Sequence, residues 1–196
     1  EVYSVSPGRD GRVWLATTYG LVRFGDGKFT VFTNTAARQP DGWMLRTRTA
    51  IEDQAGNVWC GLDSGLWRLH GEAFTNVSAP LLRGRQRVAS LLEDRQGALW
   101  AGTRSGLLEC RQGQFRLWTT NDGLSDSLVF GLVEAPDGSL WAGSERGGVN
   151  RYQDGRWRAF STAEGLLSQH AWPLHADPDG TVWVGTGGSL SANAYN

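Results

Sequence analysis

Apolar residues recur along the chain in a fixed register around tryptophan. An aliphatic residue precedes each of five spaced tryptophans, in the pairs Val13-Trp14, Val58-Trp59, Leu99-Trp100, Leu140-Trp141 and Val182-Trp183. Successive tryptophans are 45, 41, 41 and 42 residues apart. Four strands of about 5–6 residues, together with their connections, fill a period of about 42 residues. The pattern therefore predicts a repeat of four-stranded units.

Other landmarks keep step with the tryptophans. A glycine stands three residues before each one, and a Gly-Leu or Gly-Val pair follows the first four after six or seven residues. Three Asp-Gly pairs are expected to supply positive φ angles in the turn between the first two strands of a unit: Asp10-Gly11, Asp137-Gly138 and Asp179-Gly180. Gly27 and Gly155 each follow an aspartate and are expected to do the same between the last two strands.

The second strand of each unit is mostly apolar and lacks a two-residue alternation, as in Val-Trp-Cys-Gly-Leu at residues 58–62. Such a strand is typical of a sheet that is covered on both faces. We interpret the five tryptophans as equivalent wedges between neighbouring sheets, because each has about 150–250 Å² of surface to bury. A small residue two positions later is expected to leave room for the next sheet: Ala16, Gly61, Gly102, Gly143 and Gly185.

These features predict an all-β fold, a β-propeller of four-stranded antiparallel blades with about 4.5 blades present. Residues 1–196 are expected to form a single propeller segment, with approximate blades 1–33, 46–78, 87–120, 128–161 and 170–196. The last blade is incomplete, because only two of its strands can be recognised. Propellers typically have 4–8 blades and protect their edges by closing radially. We therefore expect a partial or incompletely closed propeller, whose open edges are covered by further blades or by a second copy in a homodimer.

Composition excludes some functions. The net charge is -1, so the basic footprint of a nucleic-acid-binding domain is missing and no nucleic-acid partner is expected. No apolar run approaches the roughly 18–20 residues that span a bilayer, so a membrane is expected to be reached only through other parts of a parent protein. Cys60 and Cys110 are too few for a disulfide framework or a zinc site, and we interpret them as two buried apolar thiols rather than as a disulfide.

Two copies of the unit resemble the two-component regulator propeller repeat. They are Ile-Glu-Asp-Gln-Ala-Gly-Asn-Val-Trp-Cys-Gly-Leu-Asp-Ser-Gly-Leu-Trp-Arg at residues 51–68 and Leu-Glu-Asp-Arg-Gln-Gly-Ala-Leu-Trp-Ala-Gly-Thr-Arg-Ser-Gly-Leu at residues 92–107. The linker Asn-Asp-Gly-Leu-Ser-Asp-Ser at residues 121–127 is similar to that family too. The resemblance extends from Val2 to about Thr186, and the Trp-Asp and Gly-His marks of WD40 repeats are missing. It departs from the pattern at Ser6-Pro7, at Glu134-Ala135 and in the last unit, which has no Gly-Leu pair.

The resemblance implies a place and a role. Repeats of this family typically build the extracytoplasmic sensor region of bacterial hybrid two-component sensor proteins, ahead of a transmembrane helix and an output domain. A periplasmic, ligand-sensing segment is therefore the expected function. The resemblance leaves two alternatives open: a propeller lyase similar to the streptogramin lyases, or a docking platform for other proteins.

The sequence shows no catalytic constellation. The pairs Glu52-Asp53 and Glu93-Asp94 occupy one turn position of the repeat, where aspartate can bond its own backbone, so we interpret them as structural. His170 and His175 fall on opposite faces of a strand, which disfavours joint metal binding. Nucleophile elbows and phosphate loops are missing. We expect no catalytic residue, no metal and no cofactor.

Candidate ligand contacts lie in connections where the repeats differ, because loops on a rigid scaffold carry function. One propeller face collects the connections that enter the first strands and those between second and third strands. The first group supplies Arg46, Arg48, Arg87, Phe130, His170 and Trp172; the second supplies Tyr19, Arg104, Glu145 and Arg146; and Trp43 lies in the longest insertion. Arginine and aromatic residues together favour a polar or anionic small molecule or oligosaccharide, held by stacking and by bidentate hydrogen bonds.

Overall fold

The computed structural model describes residues 1–33, 46–78, 81–82 and 86–187, which form an all-β structure. Sheet 1 contains β1 (Val2–Pro7), β2 (Val13–Thr17), β3 (Gly20–Gly25) and β4 (Lys28–Phe32). Sheet 2 contains β5 (Thr47–Glu52), β6 (Val58–Leu62), β7 (Gly65–His70) and β8 (Ala73–Asn76). Sheet 3 contains β9 (Val88–Glu93), β10 (Leu99–Thr103), β11 (Leu107–Arg111) and β12 (Gln114–Trp118). Sheet 4 contains β13 (Val129–Glu134), β14 (Leu140–Ser144), β15 (Val149–Gln153) and β16 (Arg156–Phe160), and sheet 5 contains β17 (Ala171–Ala176) and β18 (Val182–Thr186).

The strand order within every sheet follows the chain. The sheets are antiparallel meanders, and the helical elements of the described residues are 3₁₀ turns of three residues, such as Thr120–Asp122. This arrangement of four four-stranded sheets and one two-stranded sheet confirms the predicted fold class, a propeller with about four and a half blades.

Two compact units divide the chain, residues 1–93 and residues 94–196. In the first unit, β1 packs against β5, and β5 packs against β9. In the second unit, β13 packs against β17, and β10 packs against β13. Contacts between successive sheets are therefore concentrated on the first strand of each sheet, as expected where blades converge towards an axis.

The burial of the strands follows their position in the sheet. All five residues are buried in β6 and in β10, which confirms for sheets 2 and 3 that the second strand is covered on both faces, whereas β2 is only partly buried and β18 has no buried residue. The fourth strand β4, by contrast, has four exposed residues out of five. Apolar second strands thus provide the packing surface, and fourth strands form the outer edge.

The core of the first unit lies between sheets 1 and 2. Trp14 and Leu21 of sheet 1 pack with buried residues of sheet 2: Ala50, Val58, Cys60, Leu62, Trp67 and Leu69. Cys60 is fully buried and Cys110 of the second unit is 8% exposed, and both are thiols, as predicted. Because burial disfavours the thiolate, it raises the pKa of Cys60, so this thiol is unreactive at neutral pH.

The turn glycines adopt the predicted conformations. Asp26 and Gly27 both have positive φ angles, 51° and 69°, and form a two-residue turn between β3 and β4. Asp154 and Gly155 repeat this geometry between β15 and β16, with φ angles of 51° and 79°. Positive φ at both central residues matches the right-handed twist of the flanking strands.

Candidate functional site

The first strands of four sheets, β1, β5, β13 and β17, have a β-bulge near their beginning. The pairing register shifts between Val2 and Ser4 in β1, between Thr47 and Thr49 in β5, between Val129 and Gly131 in β13, and between Ala171 and Leu174 in β17. The residues at these shifts are Tyr3, Arg48, Phe130 and Trp172, and each stands eleven residues before the tryptophan of its repeat. Because a bulge redirects a side chain and often lies next to a functional site, these positions define the candidate site.

In the first unit, Arg48 is the centre of a polar cluster. Its Nε and Nη2 donate to Asp63 Oδ1 at 2.9 Å and to Oδ2 at 3.3 Å, a bidentate ion pair. Its guanidinium also lies 4.7 Å from the ring centroid of Tyr3. The Tyr3 hydroxyl donates to Glu1 Oε2 at 3.0 Å. Arg48 is therefore held in one place, with its charge matched by Asp63.

In the second unit, the residues that we call the Trp172 patch lie at the starts of β13 and β17 and in the β14–β15 connection: Phe130, Glu145, Arg146, His170 and Trp172. The Trp172 ring is 38% exposed, and its centroid lies 6.0 Å from that of Phe130. His170 Nδ1 lies 3.9 Å from Glu145 Oε1.

Backbone hydrogen bonds hold the β14–β15 connection of the Trp172 patch in place. The Glu145 amide donates to the Leu128 carbonyl at 3.0 Å, and the Arg146 amide donates to Asp126 Oδ2 at 2.8 Å. An exposed indole can stack on the apolar face of a sugar ring, and carboxylate, imidazole and guanidinium groups can bond its hydroxyls.

The other predicted contacts are distributed as follows. Tyr19, 71% exposed, lies in the β2–β3 turn, and the exposed Arg46 precedes β5. Arg87 is half-buried and precedes β9, whereas Arg104 is exposed in the β10–β11 turn. Trp43 lies outside the described residues. Tyr3 and Asp63 were missed by the sequence analysis, although the spacing of eleven residues before each repeat tryptophan points to Tyr3.

The Glu-Asp pairs have structural roles. Asp94 Oδ1 accepts from the amides of Gln96 at 3.0 Å and Ala98 at 2.8 Å, and its Oδ2 accepts from Trp100 Nε1 at 2.8 Å. Asp53 likewise accepts from the Asn57 amide and from Trp59 Nε1, both at 2.7 Å. These aspartates order the turn after the first strand and fix the indole, which confirms the turn interpretation.

The glutamates of these pairs connect successive sheets. Glu52 Oε2 accepts from the Arg9 amide at 3.2 Å and from Trp14 Nε1 at 2.8 Å, both in sheet 1. Glu93 Oε2 accepts from the Gln54 amide at 2.8 Å, and Glu134 Oε2 accepts from the Arg95 amide at 3.0 Å. We call each of these contacts a carboxylate clasp.

The described residues of sheets 4 and 5 lack both partners of the carboxylate clasp. Sheet 4 has Pro136 where the preceding sheets have the donors Arg9, Gln54 and Arg95, and proline has no N–H. Sheet 5 has Ala176, paired with Val182, where sheet 4 has Glu134 paired with Leu140. The donor and the acceptor are thus missing together.

The double substitution Pro136→Ala with Ala176→Glu is expected to install this clasp. A charge-assisted hydrogen bond contributes about 1.5–3 kcal/mol, so the double-mutant cycle should give a favourable coupling of at least about 1 kcal/mol in urea denaturation. Each single change supplies only one partner and serves as the control. Additive effects of the two changes would contradict this geometry.

Sheet 4 uses a different local solution for its tryptophan. Ala135 replaces the aspartate, and Trp141 Nε1 donates to Ser139 Oγ at 3.0 Å. The Ser139 hydroxyl in turn donates to Asp137 Oδ1 at 2.6 Å. Hydrogen bonds from the Ser139 side chain and amide, and then the contact with Arg151, lower the pKa of Asp137, so this carboxylate stays ionised.

Residues 82–105 match the family model described as the two component regulator propeller. Residues 82–105 therefore contain one repeat of this family. The matched residues include the third repeat tryptophan, Trp100, and its turn aspartate, Asp94. No curated protein matches this chain in sequence.

Several solved structures share the propeller fold of this chain. The extracellular domain of a putative hybrid two-component system from B. thetaiotaomicron aligns with a TM-score of 0.75 and 21% identity, over 95% of this chain and 25% of its own. That of a putative one-component system from the same organism gives 0.73 and 22%, over 95% and 26%. A catalytically inactive virginiamycin B lyase from Staphylococcus aureus, solved with quinupristin, gives 0.72 and 13%, over 94% and 62%. This chain therefore spans about a quarter of the length of the two extracellular domains from B. thetaiotaomicron.

No helix in the described part of the chain is long and apolar enough to cross a bilayer.

Proposed function

We propose that this chain is a ligand-sensing propeller segment of a bacterial two-component or related signalling receptor. In this proposal it binds a polar small molecule or an oligosaccharide at the first-strand bulges. The observation that carries the proposal is the bulge common to four of the five sheets, which places a different side chain at the same point of each: Tyr3, Arg48, Phe130 and Trp172. A constant scaffold with one variable position is the arrangement expected of a binding face.

The Trp172 patch is the best candidate for the main contact. It combines an exposed indole for stacking with Glu145, His170 and Arg146 for hydrogen bonding. Arg48 and Tyr3 offer a rigid polar surface in the other unit.

A non-catalytic role fits the use of the carboxylates. Asp53 and Asp94 each accept hydrogen bonds from their own turn and tryptophan, and Glu52 and Glu93 accept bonds from the preceding sheet. Acid–base catalysis needs two groups in different environments rather than copies of one environment. The lyase alternative would have to rely on His170 and Glu145.

The proposal also covers place and partners. The chain would lie in the periplasm, attached to the membrane through other parts of the receptor, by analogy with the extracellular domains that share its fold. One cross-strand row on the outer face of sheet 1 is apolar, and two of its members, Val5 and Val31, are 63% and 58% exposed. The equivalent row of sheet 2 contains Cys60 and Trp67 and is buried. A further blade or a second copy would cover the row on sheet 1.

A thermal-shift screen with neutral and acidic oligosaccharides tests the proposal. A ligand at one hundred times its dissociation constant stabilises the native state by about 2.7 kcal/mol, which raises the melting temperature measurably. Trp172→Ala should abolish the rise, whereas Trp183→Ala, which removes an exposed indole outside the Trp172 patch, should leave it unchanged. A rise that Trp172→Ala does not affect would contradict the site, and turnover of any sugar or cyclic peptide would favour the lyase alternative.

A further inference from the structure

Sheet 4 differs from the other four-stranded sheets at one cross-strand pair. Directly opposite residues of the third and fourth strands are Arg23 and Thr30 in sheet 1, Arg68 and Thr75 in sheet 2, and Glu109 and Arg116 in sheet 3. In sheet 4 they are Arg151 and Arg158. Like charges directly opposite each other destabilise a strand pair, so this sheet holds a repulsion that the other three avoid.

Both guanidinium groups of this pair are fixed. Arg151 Nη2 donates to Asp137 Oδ2 at 2.6 Å, and its guanidinium lies 5.5 Å from the Trp141 ring centroid. The Arg158 guanidinium lies 4.8 Å from the centroid of Phe160. Trp141 and Phe160 are themselves stacked, with centroids 5.4 Å apart and planes 24° apart. Two arginines therefore lie over one aromatic pair, and little side-chain entropy remains to be lost on binding.

A third arginine completes the cluster. Arg156 is exposed and stands opposite Gln153 at the end of the same two strands. The three arginines line a surface groove on the third and fourth strands of sheet 4. This groove has a volume of about 500 Å³ and is lined by Arg151, Gln153, Asp154, Arg156, Trp157 and Arg158. Three arginines, set against Asp154 in the lining and Asp137 paired with Arg151, leave one positive charge in excess. Glu164, the acidic residue near Arg158, already accepts from the Ser161 amide at 2.7 Å and from its hydroxyl at 2.8 Å.

We propose that this groove is an anion site, in which Arg151, Arg156 and Arg158 bind a tetrahedral oxyanion on a ligand. The group is a sulfate ester or a phosphate monoester, because either offers several oxygens to guanidinium groups that approach from neighbouring strands. The site lies on the third and fourth strands of sheet 4, so it is separate from the first-strand bulges and does not depend on the function proposed for them.

Calorimetric titration with glucose 6-sulfate, glucose 6-phosphate and glucose tests the anion site. Arg158→Thr recreates the Arg–Thr pair of sheets 1 and 2 and is therefore expected to fold. It should weaken binding of the charged sugars about tenfold or more, since a hydrogen bond to a charged group is lost. Arg68→Ala removes the arginine of sheet 2 that corresponds to Arg151, outside the groove, and should leave the affinity unchanged.

The three sugars distinguish the source of the oxyanion. Binding of the sulfate ester alone, of the phosphate ester alone or of both supports the site and identifies its ligand class. The proposal is overturned if neither charged sugar binds, if glucose binds equally well, or if Arg158→Thr and Arg68→Ala have the same effect. A melting temperature for each variant, measured without sugar, shows that the comparison is made between folded proteins.

Discussion

Gly143→Ala is expected to lower the free energy of unfolding by about 3 kcal/mol, because the new methyl group would collide with backbone. An ideal Cβ at this position lies 1.9 Å from the Ala171 carbonyl oxygen and 3.0 Å from its carbon. Ala171 is fully buried in β17, so the close approach of sheet 5 to sheet 4 leaves it no free space to move into. Urea denaturation of the wild type and the variant measures the difference.

Gly187→Ala is the matched control for Gly143→Ala. An ideal Cβ at Gly187 meets nothing within 4 Å, so the free energy of unfolding should change by less than about 0.5 kcal/mol. If Gly143→Ala lowered the free energy of unfolding as little as this control does, the result would contradict the close packing of β17 against β14.

Asp94→Ala should lower the free energy of unfolding by about 3 kcal/mol or more. The substitution removes the acceptor for the Ala98 amide and for Trp100 Nε1, which are buried, as well as for the Gln96 amide. Each buried donor left without a partner costs about 1–3 kcal/mol. The unfolding free energy can be measured by urea denaturation followed by tryptophan fluorescence.

The equivalent substitution in sheet 5, Asp177→Ala, tests whether burial of the indole decides the loss of stability. Asp177 Oδ2 accepts from Trp183 Nε1 at 2.6 Å, but the Trp183 side chain is 61% exposed. Water can replace the lost acceptor there, so Asp177→Ala should cost no more than about 1 kcal/mol. Equal costs for the two aspartates would show that burial of the indole does not decide the effect.

The tryptophan spacing was enough to predict the blades and part of their packing. Trp14, Trp59 and Trp100 are 3%, 7% and 1% exposed, as expected of wedges between sheets. The interpretation as an equivalent wedge is wrong for Trp183, which is 61% exposed, although its indole N–H bonds an aspartate as those of Trp59 and Trp100 do. Sequence register predicts the hydrogen bond within a sheet, whereas burial depends on what covers that sheet.

Contacts between sheets were beyond the reach of the sequence. The clasp joins Glu93 to the Gln54 amide, 39 residues earlier, and no spacing rule marks a backbone donor. Structural register also assigns Pro7 and Gly8 to the positions of the Glu-Asp pair in sheet 1, one residue later than the sequence analysis placed them. The sequence does contain this assignment, because Glu52 and Glu93 each stand seven residues before their tryptophans and the same spacing before Trp14 gives Pro7.

The candidate site was predicted as a set of residue types rather than as a geometry. Arginine and aromatic residues near the first strands were identified, but the ion pair of Arg48 with Asp63 requires the bulged strand β5 to meet the β6–β7 connection. The pairing of Arg151 with Arg158 depends on strand register, which hydrophobic pattern alone leaves open for an outer, exposed strand.

The central claim is that ligand contacts lie at the first-strand bulges, and the indole resonances of the ¹⁵N-labelled chain test it most directly. The chain would be titrated with the oligosaccharide that raises its melting temperature most. The Trp172 indole N–H signal should move with saturation, while those of the buried Trp59 and Trp100 stay in place. A saturated complex in which the Trp172 signal has not moved would contradict the claim.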